Sequence, residues 1–249
     1  MQLQLSAWPE VEEYLTSSKG IIIPIGSAEQ HGPSGLIGTD IICPEIIAEK
    51  TAEYSDSPIL IGPSINIGIA QHHLGFTGSI TLRPSTLIAV IKDYIQSLMV
   101  HGFENFLFLN GHGGNIATVQ AAFAEIYSDI SLANNSFPQV HCKLINWFML
   151  PDVYRQAQSY YGNKEGSHAT PSEVAVTQYA YPDAIKQVAL AQLEPPASKK
   201  KFTHSQHYRA MYPDGRMASD PSLATVEHGE KLVELAARAL LKEYDEFNQ

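Results

Sequence analysis

The sequence predicts an α/β fold, a mostly parallel sheet covered by helices on both faces. Three observations predict it. Short apolar runs without polar alternation, IIIPI at 21–25 and NFLFL at 105–109, suit strands buried on both sides. Longer stretches between the strands carry apolar residues at helical spacing. Polar, glycine-bearing segments follow the strand ends directly, where ligands gather in open α/β sheets. The chain has 249 residues, 44% of them hydrophobic and 17% charged. That is enough for one sizeable core, and 1–249 reads as one domain without internal repeat or linker.

In chain order, residues 8–16 form a predicted helix opened by Trp8-Pro9, with Glu10, Glu12 and Glu13 placed for a helix N-terminus. The first strand is 21–25. After a loop that reaches Asp40, 44–54 reads as a helix with Ile46, Ile47 and Thr51 on one side, and 57–61 as a short second strand. The loop 62–79 carries His72-His73, and its length argues a functional role. Ser85 is the expected N-cap of a helix running to about Val100, with Ile88, Ile91, Ile95, Leu98 and Met99 as its core stripe. The third strand, 105–109, leads into NGHGGN at 110–115, with Asn115 as the N-cap of a helix over 116–127. A polar loop at 134–139, a fourth strand at 140–145 and a helix at 153–161 follow. His168 falls in a loop, 162–170, and Glu173 in a helix, 171–179. Residues 192–222 read as an irregular loop wrapping the site. The last helix takes Asp220-Pro221 as its cap and first residue and buries Leu232, Val233, Leu235, Ala236, Ala239 and Leu240.

Composition narrows the function. The net charge is −10, and the basic run Lys199-Lys200-Lys201 is too short to argue nucleic-acid binding. The two cysteines, Cys43 and Cys142, sit in apolar runs and read as buried thiols rather than a disulfide framework. The sequence shows no signal-peptide pattern and no apolar run long enough for a membrane span, so the expectation is a soluble cytoplasmic protein.

Polar chemistry concentrates after the first strand. Glu29 and His31 are alternate residues of an extended segment and share a side; Asp40 follows across a loop containing glycine and proline. Carboxylate, imidazole and carboxylate make a usual ligand set for Zn or Mn. The alternative is a polar loop with Asp40 capping the next helix. His112, between glycines at a strand end, is a metal ligand or part of an anion site at a helix N-terminus, although neither a P-loop lysine nor GxGxxG is present. Glu173 is a ligand or a partner of its helix dipole. His168 is functional or a hydrogen-bonded loop histidine. His72 and His73 are open between pocket and solvent, and His101, His141, His204, His207 and His228 read as structural or surface residues. Glu29, His31, Asp40, His112 and Glu173 together make five N/O donors without a thiolate. They suit two divalent ions, Zn, Mn or Fe, sharing a bridging carboxylate. Such a pair serves hydrolysis: a bridging water becomes hydroxide, one ion polarises the carbonyl, and a nearby histidine delivers a proton to the leaving nitrogen.

These residues resemble the creatininase (creatinine amidohydrolase) family. The matching segments are PIGSAEQHGPSGLIGTD at 24–40, HHLGFTGSITL at 72–82, LNGHGGN at 109–115 and GSHATPSE at 166–173, in the family's order. The resemblance implies a three-layer α/β/α fold and a binuclear site, with Glu29 and His112 on one ion, His31 on the other and Asp40 bridging. It implies His168 as the proton-shuttling catalytic histidine and a homo-oligomer, hexameric in many members. Creatininase proper carries a glutamate ligand at the position of Gly114; the resemblance implies that Glu173 replaces it here as ligand and catalytic carboxylate. Asn163-Lys164-Glu165 lack the Trp-Asp pair that holds creatinine, the family's loop serine falls on Ala70, and a common second histidine is Ser34. The expectation is an amidohydrolase acting on a small cyclic or linear amide, creatinine-like or formamide-like. The alternatives are a peptidase or deformylase of the same family, a metal-binding member without turnover, and a nucleotide-phosphate binder through 111–115.

Overall fold

The structure is a computed structural model that describes residues 1–133, 139–192 and 201–249. Its centre is a parallel sheet of three strands, β1 (Gly20–Ile25), β2 (Asn105–Asn110) and β3 (His141–Asn146), in the order β1-β2-β3. The register pairs Ile25 with Asn110 and Asn110 with Asn146, so the three carboxyl ends lie level. Every residue of β1 is buried, which is why its apolar run lacks alternation. Pro24 is tolerated because the far side of β1 meets only isolated bridges, at Ile61 and Ile65.

The helices are α1 (Trp8–Leu15), α2 (Thr39–Tyr54), α3 (Pro84–Met99), α4 (Ile116–Leu132), α5 (Pro151–Tyr161), α6 (Pro171–Ala180), α7 (Ser205–Met211) and α8 (Val226–Phe247). Period-two alternation along the strands divides the core. Ile22, Leu107, Leu109 and Ile145 face a cluster with Ile47 and Ala48 of α2, Val153 of α5 and Leu232, Ala236 and Leu240 of α8. Ile21, Ile23, Ile25, Phe106 and Phe108 face Leu87, Ile91 and Ile95 of α3 and Val119, Ala122 and Ile126 of α4. This is the expected three-layer α/β/α arrangement.

Several local expectations are corrected. Residues 57–61 do not form a laddered strand. Ile22 N–H donates to Leu60 O (3.0 Å) and Gly62 N–H to Ile22 O (2.8 Å), but Pro58 and Pro63 confine the pairing to isolated bridges at Ile61. Helix α2 starts at Thr39, not Pro44, and takes Asp40 into its first turn. Arg83, not Ser85, precedes α3, with Pro84 in its first turn. Asn115 precedes α4, but its side chain makes no cap; it is used elsewhere. The segment 192–222 is not wholly irregular, since it contains α7. Helix α8 begins at Val226 with Thr225 accepting from His228 N–H, while Asp220-Pro221 opens only a short 3₁₀ turn. Residues 134–138 of the predicted loop and 193–200 of the wrapping segment lie outside the described residues. Among the described residues, no helix is long and apolar enough to cross a membrane.

Candidate metal centre

The carboxyl ends of β1 and β2 are pressed against the first turn of α2. Pro44 lacks the N–H that would bond the Asp40 carbonyl within the helix, and the backbone of Gly111 approaches that carbonyl instead. A Cβ on Gly111 would stand 1.9 Å from Asp40 O, so only glycine fits. Around this contact the asparagines of the NGHGGN segment form a knot. Asn110 Nδ2 donates to His112 O (2.7 Å) and to Asn146 Oδ1 (2.8 Å), and Asn110 Oδ1 accepts from His112 N–H (3.1 Å). Asn115 Nδ2 donates to Gly26 O (2.9 Å), and its Oδ1 accepts from Ile69 N–H (3.0 Å). These bonds lock the turns after β1 and β2 to the 62–79 loop and fix where Asp40 and His112 point.

All five expected ligands converge. Glu29, Asp40 and His112 offer ligand atoms within 4.8 Å of one another, and so do His31, Asp40 and Glu173, with Asp40 in both; Glu29, His31 and His168 form a third such group. Asp40 Oδ1 is 3.1 Å from His31 Nε2 and Asp40 Oδ2 3.1 Å from His112 Nδ1. Glu29 Oε2 is 3.3 Å from His112 Nε2, and Glu173 Oε1 is 3.8 Å from His31 Nε2. Both candidate ligand histidines are turned by main-chain carbonyls: His31 Nδ1 meets Glu29 O at 3.1 Å and His112 Nε2 meets Ile69 O at 2.9 Å. Each therefore presents its other nitrogen to Asp40. Despite the short contacts, Glu29 Oε1, Glu29 Oε2 and Asp40 Oδ2 are buried without a hydrogen-bond donor among the described residues. Of these contacts between side chains only His31 Nε2 to Asp40 Oδ1 has hydrogen-bond geometry; the close approaches to Glu29 and Asp40 Oδ2 do not, which suits atoms that share a cation.

Glu173 is both things the sequence allowed. It closes a capping box on α6, with Thr170 N–H donating to Glu173 Oε1 (2.6 Å) and Glu173 N–H to Thr170 Oγ1 (3.2 Å), and it also faces His31. His168 stands over the cluster, its Nδ1 3.9 Å from Glu29 Oε1 and its ring centroid 4.6 Å from that of His31. The His168 carbonyl accepts from Ser219 Oγ (2.6 Å) and Met217 N–H (3.2 Å), so the 217–219 segment props the loop from behind.

His73, left open by the sequence, belongs to the centre. It is buried, with Nε2 3.0 Å from Glu29 Oε1. His72 belongs to an aromatic layer outside, 5.1 Å from Phe202 and 5.4 Å from Tyr208 between ring centroids. Exposed His204 precedes α7 and half-buried His207 lies on it; neither belongs to the candidate metal groups. Sequence reasoning missed Gln30, whose side chain touches both His73 and His168. Its place between Glu29 and His31 was the one available signal, and the strand period points it to the opposite side. Cys43 is buried and free, as expected; Cys142 is free and partly exposed.

The charges of the cluster set its protonation. Burial lowers the His31 imidazole, but Asp40 and Glu173 outweigh it and raise it to about 10. Burial opposes His112 too, and Glu29 and Asp40 raise it to about 9. Burial raises Asp40, yet His31 and His112 hold it well below the usual carboxylate range. Burial pushes Glu29 up and Glu173 up to about 7. His73 is lowered to about 3 by burial and by His31 and His112, and His168 falls well below its ordinary value by burial and by His31 and His73. The cluster thus holds two basic imidazoles among carboxylates, flanked by two neutral ones.

The family model for creatininase, described as creatinine amidohydrolase, matches residues 4–244. The chain belongs to the creatininase family. Among individual members, creatinine amidohydrolase of Pseudomonas putida is 23% identical over 244 residues, 94% of this chain and 92% of that protein. A mycofactocin precursor peptide peptidase of Mycolicibacterium smegmatis is 30% identical over 108 residues, 42% of this chain and 43% of the peptidase. The 3-dehydro-scyllo-inosose hydrolase of Thermotoga maritima is 28% identical over 68% of this chain and 50% of its own length. The matched part of this chain therefore spans half or less of the length of those two relatives. A solved structure of the Mn form of creatininase superposes with a TM-score of 0.86 over 100% of this chain and 99% of its own, at 19% identity, and shares the fold. The chain carries, within this family fold, residue groups that could hold metal ions. One family difference has a steric basis. A Cβ at Gly114 would stand 2.3 Å from His112 Nε2, so a glutamate there would displace His112.

Proposed function

We propose that this chain is a metal-dependent amidohydrolase that breaks the C–N bond of a small cyclic or linear amide, creatinine-like or formamide-like. One observation carries the reading: Asp40 is shared by two of the three candidate groups, standing with Glu29 and His112 in one and with His31 and Glu173 in the other. That is the layout of two divalent ions sharing a carboxylate. The donors fit such ions. All are carboxylate oxygen or imidazole nitrogen, the set that suits Zn, Mn or Fe. The three orphaned carboxylate oxygens of Glu29 and Asp40 each cost about 1–3 kcal/mol until a cation satisfies them. Solved creatininase structures are described as Mn and Zn–Zn forms, which supports the same candidates here. When bound, the ions supply a water acidified towards neutrality and a Lewis acid for the amide carbonyl.

The chain's own residues do the rest. Glu29 and His112 would hold one ion, His31 and Glu173 the other, and Asp40 would serve both. His168 is kept neutral with Nδ1 on the Glu29 side. It takes up the proton of the attacking water and hands it to the leaving nitrogen. Glu173, both ligand and catalytic carboxylate, keeps His31 in place across the same gap. A second reading is a peptidase, since a peptide bond is a linear amide and mycofactocin peptidases match at 30–33% identity. The reading includes a homo-oligomer in the cytoplasm, hexameric as the family resemblance implies, which light scattering tests.

Metal analysis of protein purified without chelator or added metal tests the site. About two equivalents per chain are expected, falling sharply in Asp40→Ala. A panel of ring amides, N-formyl amines and short peptides, run with that metal, then decides the bond class. Turnover of peptides alone brings the second reading forward. Failure to bind or be reconstituted with metal sinks the hydrolase reading and leaves a family member without turnover.

A further inference from the structure

Gln30 is buried, 5% exposed as a residue, and every polar atom of its side chain has a neighbour. Oε1 accepts from Gly32 N–H at 2.8 Å. Nε2 lies 3.1 Å from Gly215 O, 2.8 Å from His73 Nδ1 and 2.9 Å from His168 Nε2. The main-chain carbonyl of Gln30 is itself 2.7 Å from His168 Nε2. An amide has two hydrogens and a neutral imidazole one, so not all of these contacts can be hydrogen bonds.

Three atoms have no choice of role, and they settle the others. Gly32 N–H can only donate, so the amide oxygen stays on its side and the NH₂ faces Gly215. Gly215 O can only accept and takes one of the two hydrogens. Gln30 O can only accept, and its contact with His168 Nε2 is the shortest of the set, so that nitrogen carries a hydrogen. An N–H cannot accept from the amide, which leaves its second hydrogen for His73 Nδ1. For neutral rings the remaining atoms follow. His168 Nδ1 is bare on the side of Glu29, and the hydrogen of His73 sits on Nε2, 3.0 Å from Glu29 Oε1.

We propose that Gln30 is a positioning residue that fixes the tautomers of His73 and His168, the first through its carboxamide and the second through its main-chain carbonyl. The bare Nδ1 of His168 is the atom a proton carrier needs on the side of the cluster. The hydrogen of His73 sits on the nitrogen nearer the Glu29 carboxylate. The use of His168 as proton carrier rests on the hydrolase reading above; the tautomers do not.

The test is nuclear magnetic resonance on the full chain with ¹⁵N-labelled histidine, metal-free and Zn-loaded, where two-bond ¹H–¹⁵N correlations report which ring nitrogen carries hydrogen. Patterns lost in His73→Asn and His168→Asn assign the two rings. Both rings of the parent are expected as Nε2–H tautomers, and Nδ1–H on either overturns the proposal without any variant. In Gln30→Glu the side chain accepts where it donated. The His73 hydrogen is expected to move to Nδ1, while His168, held by the main chain, stays unchanged. In Gln30→Met, His73 is expected to show both tautomers and His168 still one. A purely packing role for Gln30 would leave His73 unchanged in both variants and would overturn the proposal. Expected tautomers in a protein without turnover on the amide panel would uphold Gln30 and fell the proton-carrier reading instead.

Discussion

Two regions of the site are built by different means. The floor, where Glu29, Asp40 and His112 meet, is fixed by backbone: level strand ends, a glycine against a helix carbonyl, and asparagines bonded to main chain. The cover, where His168 stands, is held by side chains reaching to carbonyls: Ser219 to His168, Tyr208 to Gly215 (2.8 Å) and Gln30 to Gly215. The floor sets where ions would sit and the cover sets where a proton goes. Separate supports mean that each should fail alone.

The largest expected effect comes from the cover. His168→Ala should keep its metal content and lose about 10²–10⁴ in turnover, the usual weight of a general acid; loss of metal together with turnover would merge the two regions. Next is Gly111→Ala on the floor. Its Cβ has no room beside Asp40 O, so about 1–3 kcal/mol of stability should go in denaturant unfolding, and metal content should drop with it. Loading with metal probes the floor's electrostatics. His31 is raised to about 10 and His112 to about 9, so both are protonated at pH 8 and must lose a proton to become ligands. Calorimetry in buffers of different ionisation enthalpy should find roughly two protons released per chain at pH 8. The release should fade as pH rises through 9 and 10, where the free sites are already deprotonated, and affinity should weaken as pH falls. The smallest effect is Ser219→Ala. Losing one hydrogen bond to the His168 carbonyl should cost about 1 kcal/mol and lower the melting temperature while metal content stays put.

The same division explains what could be read from sequence. Glu29, His31, Asp40 and His112 were legible because strand ends and glycines announce themselves in local sequence, and all four converge with Glu173 as expected. The sheet and its two covering layers were legible from apolar runs. The rest depended on contacts distant in sequence. Whether 57–61 ladders with β1 is decided by a pairing across about forty residues, not by its apolar content. Asn115 looked like a cap, but Gly26 and Ile69 claimed its side chain. Thr225 captured the start of α8 from the equally plausible Asp220-Pro221. His73 and Gln30 carry no pattern of their own and gain meaning only once the 62–79 loop and the 213–219 segment close over β1.

The chain order of the cluster has a consequence for its biosynthesis. Glu29, Asp40 and His112 all precede α4, whereas His168 and Glu173 follow α5. Under the two-ion reading, a ribosome-bound chain that has extruded β1, α2 and β2 already owns one complete triad, and the second matures only after α6 emerges. An ion captured by the first triad would clamp the β1–β2 pairing early, so metal starvation during translation should damage folding yield as well as activity.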